Sequence, residues 1–255
     1  MIRFASIGSG SEGNGLVAEC GATRVMIDCG FGVKDTANRL ARIGIEPESL
    51  SAILVTHEHA DHIGGVPAFA ARYEIPVWLT FGTLAIVSES FAGMERIYAF
   101  DSHDRFAIGD LEILPFPVPH DAREPVQYVV SDGAKRLGVL TDLGTTTRHV
   151  EASLSGCDAL VLECNHDLDL LAAGDYPAAL KRRIASRLGH LCNEGAALLL
   201  DALDNSHLTH IIAAHLSREN NRPELARNAL AGALRCTPDW IGIADQAYGF
   251  NWREI

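Results

Sequence analysis

Three histidines and one aspartate fall within six positions in the stretch Leu54-Val55-Thr56-His57-Glu58-His59-Ala60-Asp61-His62-Ile63-Gly64-Gly65. Neutral imidazole and carboxylate are the usual ligands of zinc and of other first-row divalent metals. The apolar run at 52–55 ahead of them reads as a strand buried on both faces. A strand end opening into a tight loop can aim His57 and His59 to one side and Asp61 and His62 at an adjacent point. Two ligand pairs so placed suit a two-metal hydrolytic site, whose ions stand about 3.5–4 Å apart. The competing reading is a surface loop rich in histidine, and the spacing behind a buried strand argues against it.

Three more such side chains stand at strand ends: His120 after Pro117-Val118-Pro119, Asp142 after Val139-Leu140-Thr141, and His215 after the apolar run at 211–214. A carboxylate at the tip of a buried strand is costly without a cationic partner. A pair of divalent metals would supply one. A buried structural histidine is the alternative for His120, while His103, His149, His207 and His210 read as surface or packing residues.

The elements that must position these residues are legible as short periodic runs. Strands are expected at 4–7, 76–79, 159–163, 209–214 and 240–244. Hairpins are expected at 16–20 with 24–28, at 105–108 with 111–116, and at 126–131 with 136–141. Helices are expected at 33–43, 66–73, 81–90, 147–154, 176–188, 194–203 (with Asn193 as its cap) and 223–234. Between the first two strands, Gly8-Ser9-Gly10-Ser11-Glu12-Gly13-Asn14-Gly15 could cradle a phosphate with backbone N–H groups and hydroxyls, or serve only as a permissive turn. Lys181-Arg182-Arg183 and Arg187 concentrate positive charge beside His190 and a helix start, which favours anions; a solvated helix face is the bland alternative.

The chain has 255 residues, 47% of them hydrophobic, enough to bury a full core. No run approaches the roughly 20 apolar residues of a membrane span. The first residues enter a strand pattern directly, with no sign of a signal peptide. Six cysteines without Cys-x-x-Cys spacing suit reduced thiols in the cytoplasm. A net charge of −12 argues against a bulk nucleic-acid binder. An enzyme can still hold phosphates through metals and one local basic patch.

His57-x-His59-x-Asp61-His62, followed in order by His120, Asp142 and His215, resembles the metallo-β-lactamase superfamily at all seven positions. The resemblance implies an α+β fold, a four-layer αββα sandwich, as one domain over 1–255. It implies two divalent metal ions (zinc, manganese or iron), one held by His57, His59 and His120, the other by Asp61, His62 and His215, with Asp142 bridging both. A hydroxide between the metals would attack the substrate, and Asp28 of Asp28-Cys29-Gly30 would buttress the metal loop. Aspartate rather than cysteine on the second metal argues against the penicillin-hydrolysing branch and suits phosphodiesterases and thiolester hydrolases.

Further segments resemble the WalJ/YycJ type, cytoplasmic proteins described as single-stranded DNA 5′-to-3′ exonucleases. They are Gly8-Ser9-Gly10-Ser11, Asn165-His166-Asp167, Gly189-His190-Leu191-Cys192-Asn193, and His215-Leu216-Ser217 with Asn220-Asn221. Cys192 stands where serine is usual, and Ile7-Gly8 where serine is more typical. The separation of Asp142 from His215 is too short for the inserted domain of nucleases related to ribonuclease J.

The function this implies is a metal-dependent phosphodiesterase, a 5′-to-3′ exonuclease on single-stranded nucleic acid, with no membrane partner and with assembly into homo-oligomers left open. Asp61 and His166 are the expected catalytic residues, His166 protonating the leaving group by its likeness to the proton donor of transfer-RNA 3′-processing endonucleases. Ser9, Ser11, Arg182, Arg187 and His190 are the expected phosphate contacts. A thiolester or lactone hydrolase is the alternative, which the basic helix disfavours. A non-catalytic metal-binding regulatory protein is the other.

Overall fold

Side chains alternate along each strand, and here both faces of most strands are apolar, so each sheet must be covered on two sides. The computed structural model describes residues 1–255 and meets that demand with two seven-stranded sheets. The first contains β1 (Arg3–Gly8), β2 (Gly15–Cys20), β3 (Thr23–Ile27), β4 (Ala52–Leu54), β5 (Val77–Thr80) and β6 (Ile97–Phe100). The second contains β7 (Phe106–Ile108), β8 (Leu111–Pro117), β9 (Val126–Ser131), β10 (Arg136–Leu140), β11 (Ala159–Glu163), β12 (His210–Ala214) and β13 (Gly242–Ile243). The last strand, β14 (Phe250–Glu254), returns to pair antiparallel with β1 at the edge of the first sheet.

The helices are α1 (Val33–Arg42), α2 (Ala60–Ile63), α3 (Val66–Tyr73), α4 (Phe81–Val87), α5 (Arg148–Leu154), α6 (Leu168–Ala173), α7 (Ala178–Ile184), α8 (Asn193–Ala202) and α9 (Pro223–Leu234). Three cores define the layers. Val25, Ile27 and Leu54 of the first sheet meet Tyr128, Val139 and Val161 of the second in the central core. Met26, Ile53 and Val77 turn outward onto Leu40 of α1 and Phe69 of α3. Leu160, Leu162 and Ile211 turn outward onto Val150 of α5, Leu199 of α8 and Leu230 of α9. The layering is the expected αββα sandwich. No helix is long and apolar enough to cross a membrane.

Several boundaries differ from expectation. The helix expected at 176–188 is confined to α7, because Pro177 presets its start and the chain doubles back at its end. His190 N–H donates to the Ile184 carbonyl there, and a Cβ on Gly189 would stand 2.2 Å from the Arg183 carbonyl oxygen. The cap of α8 is Cys192, whose Sγ accepts from Gly195 N–H, while Asn193 is the first helical residue. The closing strand at 240–244 contracts to β13, and β6, α2, α6 and β14 had not been anticipated.

The consequence for function lies in strand direction. β3, β4 and β5 run parallel, as do β10, β11 and β12. Their C-terminal ends therefore open at one edge of the sandwich, with Asp28, His57, Asp142 and His215 each one to three residues past a strand.

Candidate metal centre

Two loops at the site are held in demanding backbone geometry. Asp28 has φ +61° and His215 φ +53°, left-handed conformations that cost a non-glycine residue roughly 1–3 kcal/mol. Hydrogen bonds hold both. Thr56 N–H and Oγ1–H donate to the two oxygens of Asp28, each at 2.8 Å. His215 N–H donates to Ser9 Oγ at 2.9 Å. The motif loop also depends on close backbone contact: a Cβ on Gly30 would stand 1.9 Å from the Asp61 carbonyl oxygen.

Outer hydrogen bonds set the tautomers of four histidines, as they do around metal-binding imidazoles. His62 Nδ1 donates to Asp28 Oδ2 at 2.7 Å, and His120 Nδ1 to the Gly189 carbonyl at 2.9 Å. His57 Nδ1 donates to Thr56 Oγ1 at 2.9 Å, since that hydroxyl spends its own hydrogen on Asp28. His59 Nε2 donates to the Asp121 carbonyl at 3.2 Å. In its neutral form each ring therefore turns an unprotonated nitrogen inward. His59 Nδ1 and His120 Nε2 face one another across 3.2 Å.

Three overlapping groups bring their donor atoms within 4.8 Å of one another: His57, His59 and His120; Asp61, His62 and His215; and His57, His62 and Asp142. His57 Nε2 is buried without a hydrogen-bond partner, and Asp142 Oδ2 accepts no well-aligned hydrogen bond although His62 Nε2 stands 3.0 Å away. Buried polar atoms left unpaired carry a large desolvation cost. Inward lone pairs, an orphaned acceptor and an all-His/Asp donor set fit divalent metal ions. The structure thus assembles all seven side chains expected as ligands.

The electrostatics agree. Burial and the neighbouring rings push His57 well below the usual imidazole range, and burial lowers His120, so both rest neutral, the form in which imidazole can bind a metal. Burial opposes charge on Asp142 and Asp61 as well, but the surrounding histidines outweigh it and hold both carboxyls ionised. His62 is raised in turn: burial disfavours its cation, Asp142 with Asp28 overcomes that, and the proton this leaves on Nε2 is the one a bound cation would displace.

A fourth group, Asp142, Glu163, His190 and His215, extends the cluster. Glu163 is fully buried and accepts from Leu143 N–H at 2.7 Å, Leu191 N–H at 3.1 Å and His190 Nδ1 at 2.8 Å. His190 Nε2 is left without a protein partner in a cleft of about 370 Å³. Asp61, Ser11 and Asn165 line the same cleft.

The remaining expected residues divide. Ser11 and His190 reach the cleft. Ser9 does not: it is 5% exposed and clips the His215 backbone to Asn14 Oδ1. Arg182 and Arg187 are exposed and absent from the cleft wall, where Arg183 stands instead. The α7 face toward the cleft carries Leu180, Arg183 and Ile184, and a neighbour in sequence is turned about 100° away. His166 is 1% exposed, outside the cleft, and burial lowers it to about 4. Its buried Nδ1 has no partner, and a backbone bridge to Cys192 fixes it behind the site.

Sequence reasoning also missed Glu163, Asn14 and Asn165. Asn14 Nδ2 donates to the Asp61 carbonyl at 3.3 Å, and Asn165 Nδ2 to the His215 carbonyl at 3.1 Å. Glu163 ends a buried strand just as Asp142 follows one, so the same cost argument could have found it.

The sequence matches the family described as Beta-lactamase superfamily domain over residues 23–211, and the chain belongs to that superfamily. It is 35% identical over 235 residues to Exodeoxyribonuclease YycJ of Bacillus anthracis, covering 91% of this chain and 89% of that one. It is 34% identical over 252 residues to Exodeoxyribonuclease WalJ of Streptococcus pneumoniae, covering 97% and 93%. The fold is shared with the metallo-beta-lactamase fold protein YhfI of Bacillus subtilis, at a TM-score of 0.78, 16% identity and full coverage of both chains.

Proposed function

We propose that this protein is a metal-dependent exonuclease that hydrolyses phosphodiester bonds of single-stranded DNA from the 5′ end, with residues 1–255 acting as one catalytic unit. The observation that carries the reading is the set of inward-facing imidazoles around the orphaned His57 Nε2 and the Asp142 carboxylate, at the base of an open cleft. The identity to two exodeoxyribonucleases over nearly the whole chain supports the substrate class. Six unpaired cysteines suit a reducing, cytoplasmic setting.

His57, His59 and His120 would hold one divalent ion, and Asp61, His62 and His215 a second, with Asp142 between them. Zinc, manganese and iron all suit such donors. Bound there, the ions supply Lewis acidity toward phosphate oxygens and bring water's pKa toward neutrality. The chain's own residues do the rest. Asp61 lines the cleft, and its Oδ1 makes no protein hydrogen bond, so it orients the attacking water. His190 presents Nε2 to the cleft while Glu163 fixes its Nδ1, the arrangement of a positioned general acid. We assign leaving-group protonation to His190 rather than to His166, which sits behind the wall. Ser11 and Arg183, both on the cleft wall, offer donors to substrate phosphate.

The test is digestion of linear and circular single-stranded DNA of one sequence by metal-loaded protein. Loss of the linear form alone supports an exonuclease. Cutting of the circle would replace it with an endonuclease.

A further inference from the structure

The residues around α7 form a wall that the chemistry above leaves largely unused. No residue of α7 is buried, so its inward face covers no core. Leu180, Arg183 and Ile184 lie at the three- and four-residue spacing of one helix face, with Tyr176 just ahead of Pro177. All four line the same cleft as His59, Asp61 and Asp142. A part-buried phenol ring and two part-buried aliphatic side chains thus present apolar surface to an ionic site.

Arg183 is held ready beside them. Its Nε donates to Asp121 Oδ2 at 2.6 Å, and no other atom of the guanidinium hydrogen-bonds within the protein. The side chain is 58% exposed, with both Nη groups free for a phosphate. An aromatic surface, aliphatic neighbours and a tethered guanidinium are the parts from which proteins build platforms for unpaired bases. A cleft of about 370 Å³ is of the size that encloses one small ligand.

We propose that Tyr176, Leu180 and Ile184 form a nucleobase subsite that seats the unpaired base of the terminal nucleotide, while Arg183 grips its phosphate. The subsite rests on the phosphodiesterase reading above and adds to it the reason for a single-stranded end: a paired terminal base must first give up its pairing and stacking to enter the cleft.

The test compares two single-stranded oligonucleotides that differ only in the 5′-terminal residue, thymidine in one and an abasic tetrahydrofuran in the other. Wild-type protein should cleave the first with kcat/KM about tenfold higher, the lower range of base–aromatic stacking. Tyr176→Ala should bring that ratio near one, and Tyr176→Phe should restore it. Arg183→Ala should raise KM for both substrates about equally and leave the ratio in place. Equal cleavage of the two by wild type, or a ratio unchanged in Tyr176→Ala, overturns the subsite while the phosphodiesterase reading stands. Absence of cleavage of both, and of bis(p-nitrophenyl) phosphate, overturns the reading and the subsite with it.

Discussion

Replacing Ser9 by alanine removes one hydroxyl that serves two partners, since it accepts from His215 N–H at 2.9 Å and donates to Asn14 Oδ1 at 3.2 Å. Ser9 is only 5% exposed, so water has little room to take its place. A buried N–H left without an acceptor costs about 1–3 kcal/mol. The loss falls on a residue whose left-handed backbone already carries strain. His215 can relieve both costs by relaxing its backbone, which would swing its ring away from Asp61 and His62. Expressed as metal affinity, 1–3 kcal/mol is roughly 5- to 150-fold, in the range of lost outer-shell partners. Competition against a chromogenic chelator should show one weakened ion per chain in Ser9→Ala, with KM for DNA nearly unchanged. Full metal affinity together with a tenfold rise in KM would refute the reasoning and return Ser9 to the phosphate-binding role that its loop suggests.

Asp28→Asn keeps one acceptor but turns an N–H₂ group toward Thr56 Oγ1 or His62 Nδ1; metal affinity should fall about 10- to 100-fold, read by the same competition. His190→Ala should lower kcat by about 10² or more with metal content intact, checked by pre-steady-state cleavage alongside metal analysis. The pH dependence of stability should carry a signature of His166, whose folded value near 4 lies below the 6.5 of the unfolded chain. The unfolded state then binds more protons between those values, so stability falls as pH drops through that window. Urea unfolding of the metal-free protein should show a loss between pH 7 and pH 5 that is about 2 kcal/mol smaller in His166→Gln than in wild type; equal losses would contradict its burial as a neutral ring.

The seven candidate ligands could be singled out in the sequence because ligand chemistry restricts residue type and because the motif, His120, Asp142 and His215 lie at or soon after the ends of visible apolar runs. The layered sandwich followed from runs apolar on both faces, as in Ile211 to Ala214. What the sequence hid was orientation at fine scale. Ser9 and Ser11 are two residues apart in one glycine-rich loop, yet one clips His215 and the other opens on the cleft. Arg182 and Arg183 differ by a fraction of a helical turn, and the phase of α7 depends on where Pro177 starts it. The pairing of Glu163 with His190, on which the proposed acid role of His190 rests, is long-range and has no local signal. β14 was missed although Phe250 and Trp252, half-buried between exposed Asn251 and Arg253, do alternate as an edge strand should.

The most direct measurement is digestion of 5′-end-labelled single-stranded DNA by protein reconstituted with manganese or zinc, beside Asp61→Ala and Asp142→Ala prepared identically. Release of the label as a single mononucleotide from the earliest times, with no ladder of labelled intermediates and with both variants slowed by several orders of magnitude, is the predicted result. Undiminished digestion by the variants would contradict a metal centre at these residues, and an inert wild type that instead turns over a thiolester or lactone would contradict the substrate.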